Sequence, residues 1–415
     1  MRACLVAGWF LLGTVLPAGP LAADLAPEPL GRVERLPAEK PAHWIWASDA
    51  VASRIALVDL GSGEMRGIVD GGWGLTEGLF TAAGTILIPE THYSRGSRGQ
   101  RTDVVTLYDG ESLAPTHEVL IPAKRAFNAL PTGNAALSDD DRFLAVANMT
   151  PATSLSIVDL ERRSFAGEVP TPGCALVYGA GPRRFLSVCA DGTLLLVELD
   201  DEGNAIRRAR SKRFFDVEAD PVTEKAVRRG DVWYFVSFEG MVHEVDVSGG
   251  LPAFRAPWSL FDEAAREASW RIGGRQLLAV HRPSGRLYAL VHQGGPDGHK
   301  DAGSEAWVYD LERRERVQRI ALRNPGLTYL GVPMAFGEDW IWPFNRLYDW
   351  LLSLAPLGVA SLVVTQGDAP ILVTGSEFSG SLALYDAESG DFLRRIATGN
   401  MTNLILQAPY GGPSR

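Results

Sequence analysis

An all-β fold, a seven-bladed β-propeller with one helical insertion before the last blade, is predicted by three observations. A strand-and-turn motif recurs seven times, its spacing fills almost the whole chain, and 44 Gly and 26 Pro among 415 residues favour many turns over long helices. Each copy is an alternating apolar strand closed by an acidic residue: 55–59 (IALVD), 105–109 (VTLYD), 155–159 (LSIVD), 194–198 (LLLVE), 242–246 (VHEVD), 306–310 (AWVYD) and 382–386 (LALYD). The acidic residues lie 50, 50, 39, 48, 64 and 76 positions apart. A mean of about 54 residues accommodates four short strands per copy, which is the arithmetic of a propeller blade. A two-sheet sandwich of this length would need two domains and would not repeat one turn seven times.

The elements follow in chain order. Arg2, the apolar run Ala3 to Leu16 and the small residues up to Ala23 read as a secretory signal peptide, 1–23, too short for a comfortable membrane span. Residues 24–40 form an N-terminal arm, and 41–410 the propeller. Export places the mature chain in an oxidising compartment. Cys4 leaves with the signal, so Cys174 and Cys189 remain, and one disulfide between them is expected, with two buried thiols as the alternative. In each repeat the acidic residue is expected to open the turn by accepting from backbone amides ahead of it, with Gly61, Gly63, Gly249 and Gly390 supplying positive φ. The carboxylate run Asp139, Asp140 and Asp141 reads as a solvated hairpin turn rather than a calcium site.

The last interval carries the insertion, 336–358 (FGEDWIWPFNRLYDWLLSLAPLG). Trp340, Trp342 and Trp350 fall within it, and from Pro343 onward Phe344, Leu347, Tyr348, Leu351 and Leu352 recur at helical spacing. Such a stripe either packs on its own blade or docks a partner or a membrane surface.

The charge balance is 40 Lys plus Arg against 50 Asp plus Glu, a net −10, which repels nucleic acid. The seven histidines show no HExxH and no pair at i, i+4, so no metal site is expected; there is no GxSxG elbow and no GxGxxG opening a helix. His292 and His299 are read as part of a polar rim loop. By composition and motif alone the chain is an exported propeller with no self-contained active site.

A set of local identities then resembles a known family. They are Ile68-Val69-Asp70-Gly71-Gly72; Ser94-Arg95 with Arg98-Gly99-Gln100-Arg101-Thr102-Asp103; the Cys174 to Cys189 segment with Asp191-Gly192; Trp270-Arg271-Ile272-Gly273-Gly274; His281-Arg282, Gln293 and His299-Lys300; and Tyr385-Asp386-Ala387-Glu388-Ser389-Gly390. In order and spacing they are similar to the heavy chain of the periplasmic tryptophan tryptophylquinone amine dehydrogenases, the methylamine and aromatic amine dehydrogenases. The resemblance implies a noncatalytic propeller subunit paired in an α2β2 assembly with a small cysteine-rich light chain that carries the quinone. The complex would oxidise primary amines to aldehyde and ammonia and pass electrons to a blue copper protein. It further implies that Trp73, directly after the Asp-Gly-Gly turn, lies at the substrate channel and light-chain interface, where well-known family members carry Phe. The 336–358 insertion departs from the family pattern. Two other readings stand beside this one: an exported propeller that binds or scaffolds without enzymatic activity, and a propeller dehydrogenase with a soluble cofactor in its central channel.

Overall fold

The computed structural model describes residues 34–408 except 75–76, 128–131, 325–327, 330–331, 334–357, 378 and 404. From Leu36 onward the chain is one unit containing seven antiparallel sheets of four or five strands, the blades of a propeller. Blade 2 shows the plan. Leu79–Phe80 is innermost, followed outward by Ile86–Arg95, Arg98–Tyr108 and Pro115–Ile121. The two middle strands of a blade are covered by neighbouring blades on both faces and read as near-continuous apolar runs, as in the fully buried Phe143–Asn148 and Ser154–Asp159 of blade 3. Outer strands such as Ser164–Pro170 are mostly exposed or half-buried, with Val169 the one buried position.

Blade 1 is assembled from both ends of the chain. Trp44–Asp49, Arg54–Asp59 and Met65–Asp70 are its outer three strands, and Ile405–Gln407 pairs with Trp44–Asp49 as the innermost. Separate apolar layers fill the spaces between blades. Ile45, Ala47 and Val58 meet Val373, Leu382 and Leu384 where blade 7 abuts blade 1, and Ile55, Leu57 and Val69 meet Ile86 and Ile88 between blades 1 and 2.

Six of the seven acidic repeat residues stand at the end of the third strand of their blade. Asp59 accepts from the Gly61 and Ser62 amides, Asp310 from Glu312 and Arg313, and Asp386 from Glu388 and Ser389, at 2.7–3.3 Å. The fourth copy differs: Glu198 stays on the strand, and Asp200 takes the amides of Glu202 and Asn204. The positive-φ residue of the turn is Gly63 and Gly390 as expected, but Leu113, Arg163 and Arg314 hold the equivalent place in three other blades. Gly61 does not have positive φ, because in its blade the reversal is completed four residues after the acid rather than two, and in blade 5 neither Gly249 nor Gly250 has it.

Because successive strands alternate in direction, all seven acidic turns fall on one face of the propeller. The connections between blades and the hairpins joining second to third strands fall on the other, which we call the loop face. One five-residue helix, Glu263–Glu267, is described, in the connection from blade 5 to blade 6 and capped by Asp262. The predicted helix of 336–358 lies outside the described residues, apart from Gly358. No described helix is long and apolar enough to cross a membrane.

Candidate functional site

Trp73 lies on the loop face, in the connection from blade 1 to blade 2. The chain leaves Met65–Asp70 through Gly71, whose N–H donates to the Asp70 carboxylate at 2.9 Å and to the Ser53 carbonyl at 2.8 Å. Gly72 then adopts φ +57, pressed so closely on Glu90, Thr91 and His92 that a Cβ would lie 3.1–3.3 Å from them. The Trp73 N–H donates to the Thr91 carbonyl at 2.8 Å, fixing its backbone on blade 2, while its side chain remains 49% exposed.

Beneath this turn the long middle strands of blade 2 carry a polar cluster. Asp103 is wholly buried and clamped by Arg101, whose Nε and Nη2 donate at 2.8 and 2.7 Å. Its remaining contacts come from the Thr91 hydroxyl and the Arg125 main-chain N–H, both at 2.9 Å. The Arg125 guanidinium, only 2% exposed, donates from Nε to Thr91 Oγ1 and from Nη2 to the carbonyls of both Trp73 and Gly74, each at 3.1–3.2 Å. Burial pushes Arg125 down to about 10, against the pull of Asp103. The Phe127 ring lies 4.9 Å from the Arg101 guanidinium and 5.2 Å from that of Arg125. Deeper in the blade, buried Glu90 accepts from the hydroxyls of Thr106 and Tyr108 and faces His92 at 3.3 Å; desolvation raises its carboxyl above the ordinary range.

Exposed apolar side chains continue around this face. Met401 in the connection from blade 7, Val51 on blade 1, and Met149 on blade 3 lie on this face as well and are each more than two-fifths exposed. Cys174 and Cys189 form a disulfide that joins the inner and second strands of blade 4 at the same face.

The propeller axis holds a cavity of about 410 Å3. Near the loop face Glu77 lines it, half-buried, with Oε1 accepting from the amides of Gly133 at 2.7 Å and Asn134 at 3.2 Å. Desolvation raises this carboxyl to about 7, well above 4.5, despite those amides. Toward the other face Asp139 and Arg228 form a bidentate pair at 2.7 and 2.8 Å across the cavity, between blades 3 and 5. Asp139 is therefore not the solvated turn residue expected: it is buried, while Asp140 accepts from the Arg142 amide within the turn and Asp141 reaches across to the Ala82 amide of blade 2. His292 is likewise buried, its ring nitrogens facing the carbonyls of Gly298 and Gln293, and His299 stacks on Phe238 at 3.7 Å. No three His, Cys, Asp or Glu side chains converge among the described residues.

Of the residues singled out by sequence, Trp73, Cys174 and Cys189 thus share the loop face. Trp340, Trp342, Phe344 and Trp350 lie outside the described residues. Arg125 and Glu77 carry no sequence signal of their own; each matters through a neighbour supplied by another connection.

Known proteins share this chain's sequence pattern and its fold. A family model described as "Methylamine dehydrogenase heavy chain (MADH)" matches residues 33–325. The methylamine dehydrogenase heavy chain of Paracoccus versutus is 28% identical over 381 residues, covering 89% of this chain and 78% of its own. That of Methylophilus methylotrophus is 25% identical over 349 residues, covering 83% and 77%. Among solved structures, "Dihydro-heme d1 dehydrogenase NirN in complex with DHE" superposes with a TM-score of 0.52 at 16% identity, covering 93% of this chain and 79% of that one. A functionally unknown protein from Desulfotomaculum acetoxidans DSM 771 superposes with a TM-score of 0.53 at 11% identity, covering 89% and 100%. The structural likenesses bear on the fold alone.

Proposed function

The chain belongs to the methylamine dehydrogenase heavy-chain family, and on that premise we propose that it is the propeller subunit of a periplasmic amine dehydrogenase whose loop face docks a cysteine-rich light chain. The observation that carries the reading is Trp73. Its backbone is fixed by Thr91 and Arg125, yet half of the indole is left to solvent, on the same face as exposed Met401, Val51 and Met149. Exposed apolar side chains grouped on one face mark a contact surface.

In this reading the light chain carries the tryptophan tryptophylquinone, and that group supplies the oxidising chemistry for primary amines. The heavy chain's own residues shape the passage, exclude water and hold the partner, in an α2β2 assembly that passes electrons to a blue copper protein. Trp73 would narrow the passage relative to the Phe of better-known members. The insertion 336–358 leaves and re-enters the described chain on the loop face, so its aromatic residues, Trp340, Trp342, Phe344 and Trp350, are suited to adding a contact to the partner or to a membrane surface.

The test is coexpression of the full chain with a short cysteine-rich, tryptophan-containing chain encoded beside it. Copurification, with quinone absorbance in the complex and none in this chain alone, is the expected result. A heavy chain that purifies without a partner from cells oxidising amines would refute the reading. Deleting 336–358 should weaken assembly, membrane association or electron transfer; all three intact would remove that segment from the proposal.

A further inference from the structure

Arg125 occupies a position that its own stability does not explain. A buried guanidinium normally secures a carboxylate. Here the one carboxylate within reach, Asp103, is already filled by Arg101, Thr91 and the Arg125 main-chain N–H. No carboxylate accepts from the Arg125 side chain, and its Nη1 has no acceptor among the described residues. Its two bound nitrogens are spent on the Thr91 hydroxyl and on consecutive carbonyls, those of Trp73 and Gly74. Gly74 has φ +66 and lies against the Phe127 ring, where a Cβ would come within 2.1 Å of Cδ2. The ring in turn sits beside both arginines.

We propose that Arg125 is a positioning residue: its guanidinium holds the Trp73–Gly74 peptide against blade 2 and so sets where the exposed indole stands. Two carbonyls that point toward one nitrogen fix the peptide plane on either side of Gly74, which glycine alone would leave free to rotate. The Phe127 ring closes the other side. Lys124 and Ala126, on either side of Arg125, anchor the segment to blade 3 through main-chain bonds with Met149 and Ala147, so the indole is referenced to two blades at once. The consequence for amine selection rests on the channel reading above; the clamp itself does not.

The experiment uses the full chain labelled with 5-fluorotryptophan, the Trp73 resonance being assigned by its loss in Trp73→Phe. In Arg125→Lys the charge remains, but a single ammonium replaces the planar fork that spans two carbonyls and Thr91. The Trp73 resonance should shift or split while the other tryptophan signals stay in place. Thr91→Val, which frees Nε and leaves the guanidinium, should move the same resonance less and in the same direction. In the assembled complex, Arg125→Lys should change the ratio of KM values between short and long amines by at least about threefold, with kcat for the best amine altered less. An unmoved Trp73 resonance in folded Arg125→Lys overturns the proposal. Should that variant not fold, an unmoved resonance in Thr91→Val does the same. A moved resonance with an unchanged amine profile keeps the clamp and removes Trp73 from the channel, so the two readings fail separately.

Discussion

Replacing Glu77 by Gln should make the propeller more stable above neutral pH and leave it unchanged in acid. The native carboxyl titrates at about 7, against 4.5 for the ordinary group. Between those values the folded chain holds a proton that the unfolded chain has released, so stability falls as pH rises through this window and levels off above it. At 1.36 kcal/mol per unit the full shift amounts to about 3 kcal/mol. Glu77 is half-buried and lines an open cavity, so water there reduces the expected loss to about 1–2 kcal/mol. Glutamine keeps a carbonyl for the Gly133 and Asn134 amides and cannot ionise. Urea unfolding followed by fluorescence from pH 5 to pH 8 should show a difference between variant and parent that is near zero at the acid end and grows toward the alkaline end. A difference that is constant across the range, or that grows toward acid, would refute the reasoning.

Three further outcomes follow from contacts described above. Replacing both Cys174 and Cys189 by Ser opens a loop of fifteen residues and should cost about 3 kcal/mol in denaturant unfolding, with reductant having no effect on the variant; an unchanged midpoint would count against the bond. Arg228→Met strands the Asp139 carboxylate in the axial cavity and should cost about 3 kcal/mol in urea unfolding at neutral pH; a loss below about 0.5 kcal/mol would show that the pair holds nothing in place. Trp73→Ala should cost only about 1 kcal/mol, since half the indole is already in water, while shifting amine chain-length preference in the complex; unaltered kinetics across an amine series would sink its channel role.

The fold was legible because its repeat is local. An acid that caps its own turn, with its strand buried on both sides, announces itself within five residues, and seven such copies need no long-range information. The fourth copy shows the limit, since its turn is capped by Asp200 rather than by the matching Glu198. The turn conformation was less legible than the turn itself. Leu113, Arg163 and Arg314 accept positive φ because the flanking strands dictate the reversal, so glycine marks the position only in some blades. Asp139 was misread because its partner, Arg228, is 89 positions away and two blades around the ring. Trp73 was visible only through the family resemblance, and Arg125 not at all. Its significance lies in two carbonyls from the preceding connection, which pattern and spacing cannot register.

The strand Ile405–Gln407, which closes blade 1 from inside, has a bearing on biosynthesis. Until these residues leave the ribosome, Trp44–Asp49 has no inner neighbour and the ring is an open arc with an unpaired edge at its start. The apolar layer shared by blades 7 and 1 forms only at that moment. Maturation is thus tied to that strand: a chain stopped before Ile405 would keep most of its blades but present an adhesive strand to its neighbours, and quality control would meet it as an aggregation-prone intermediate rather than a slightly shortened protein.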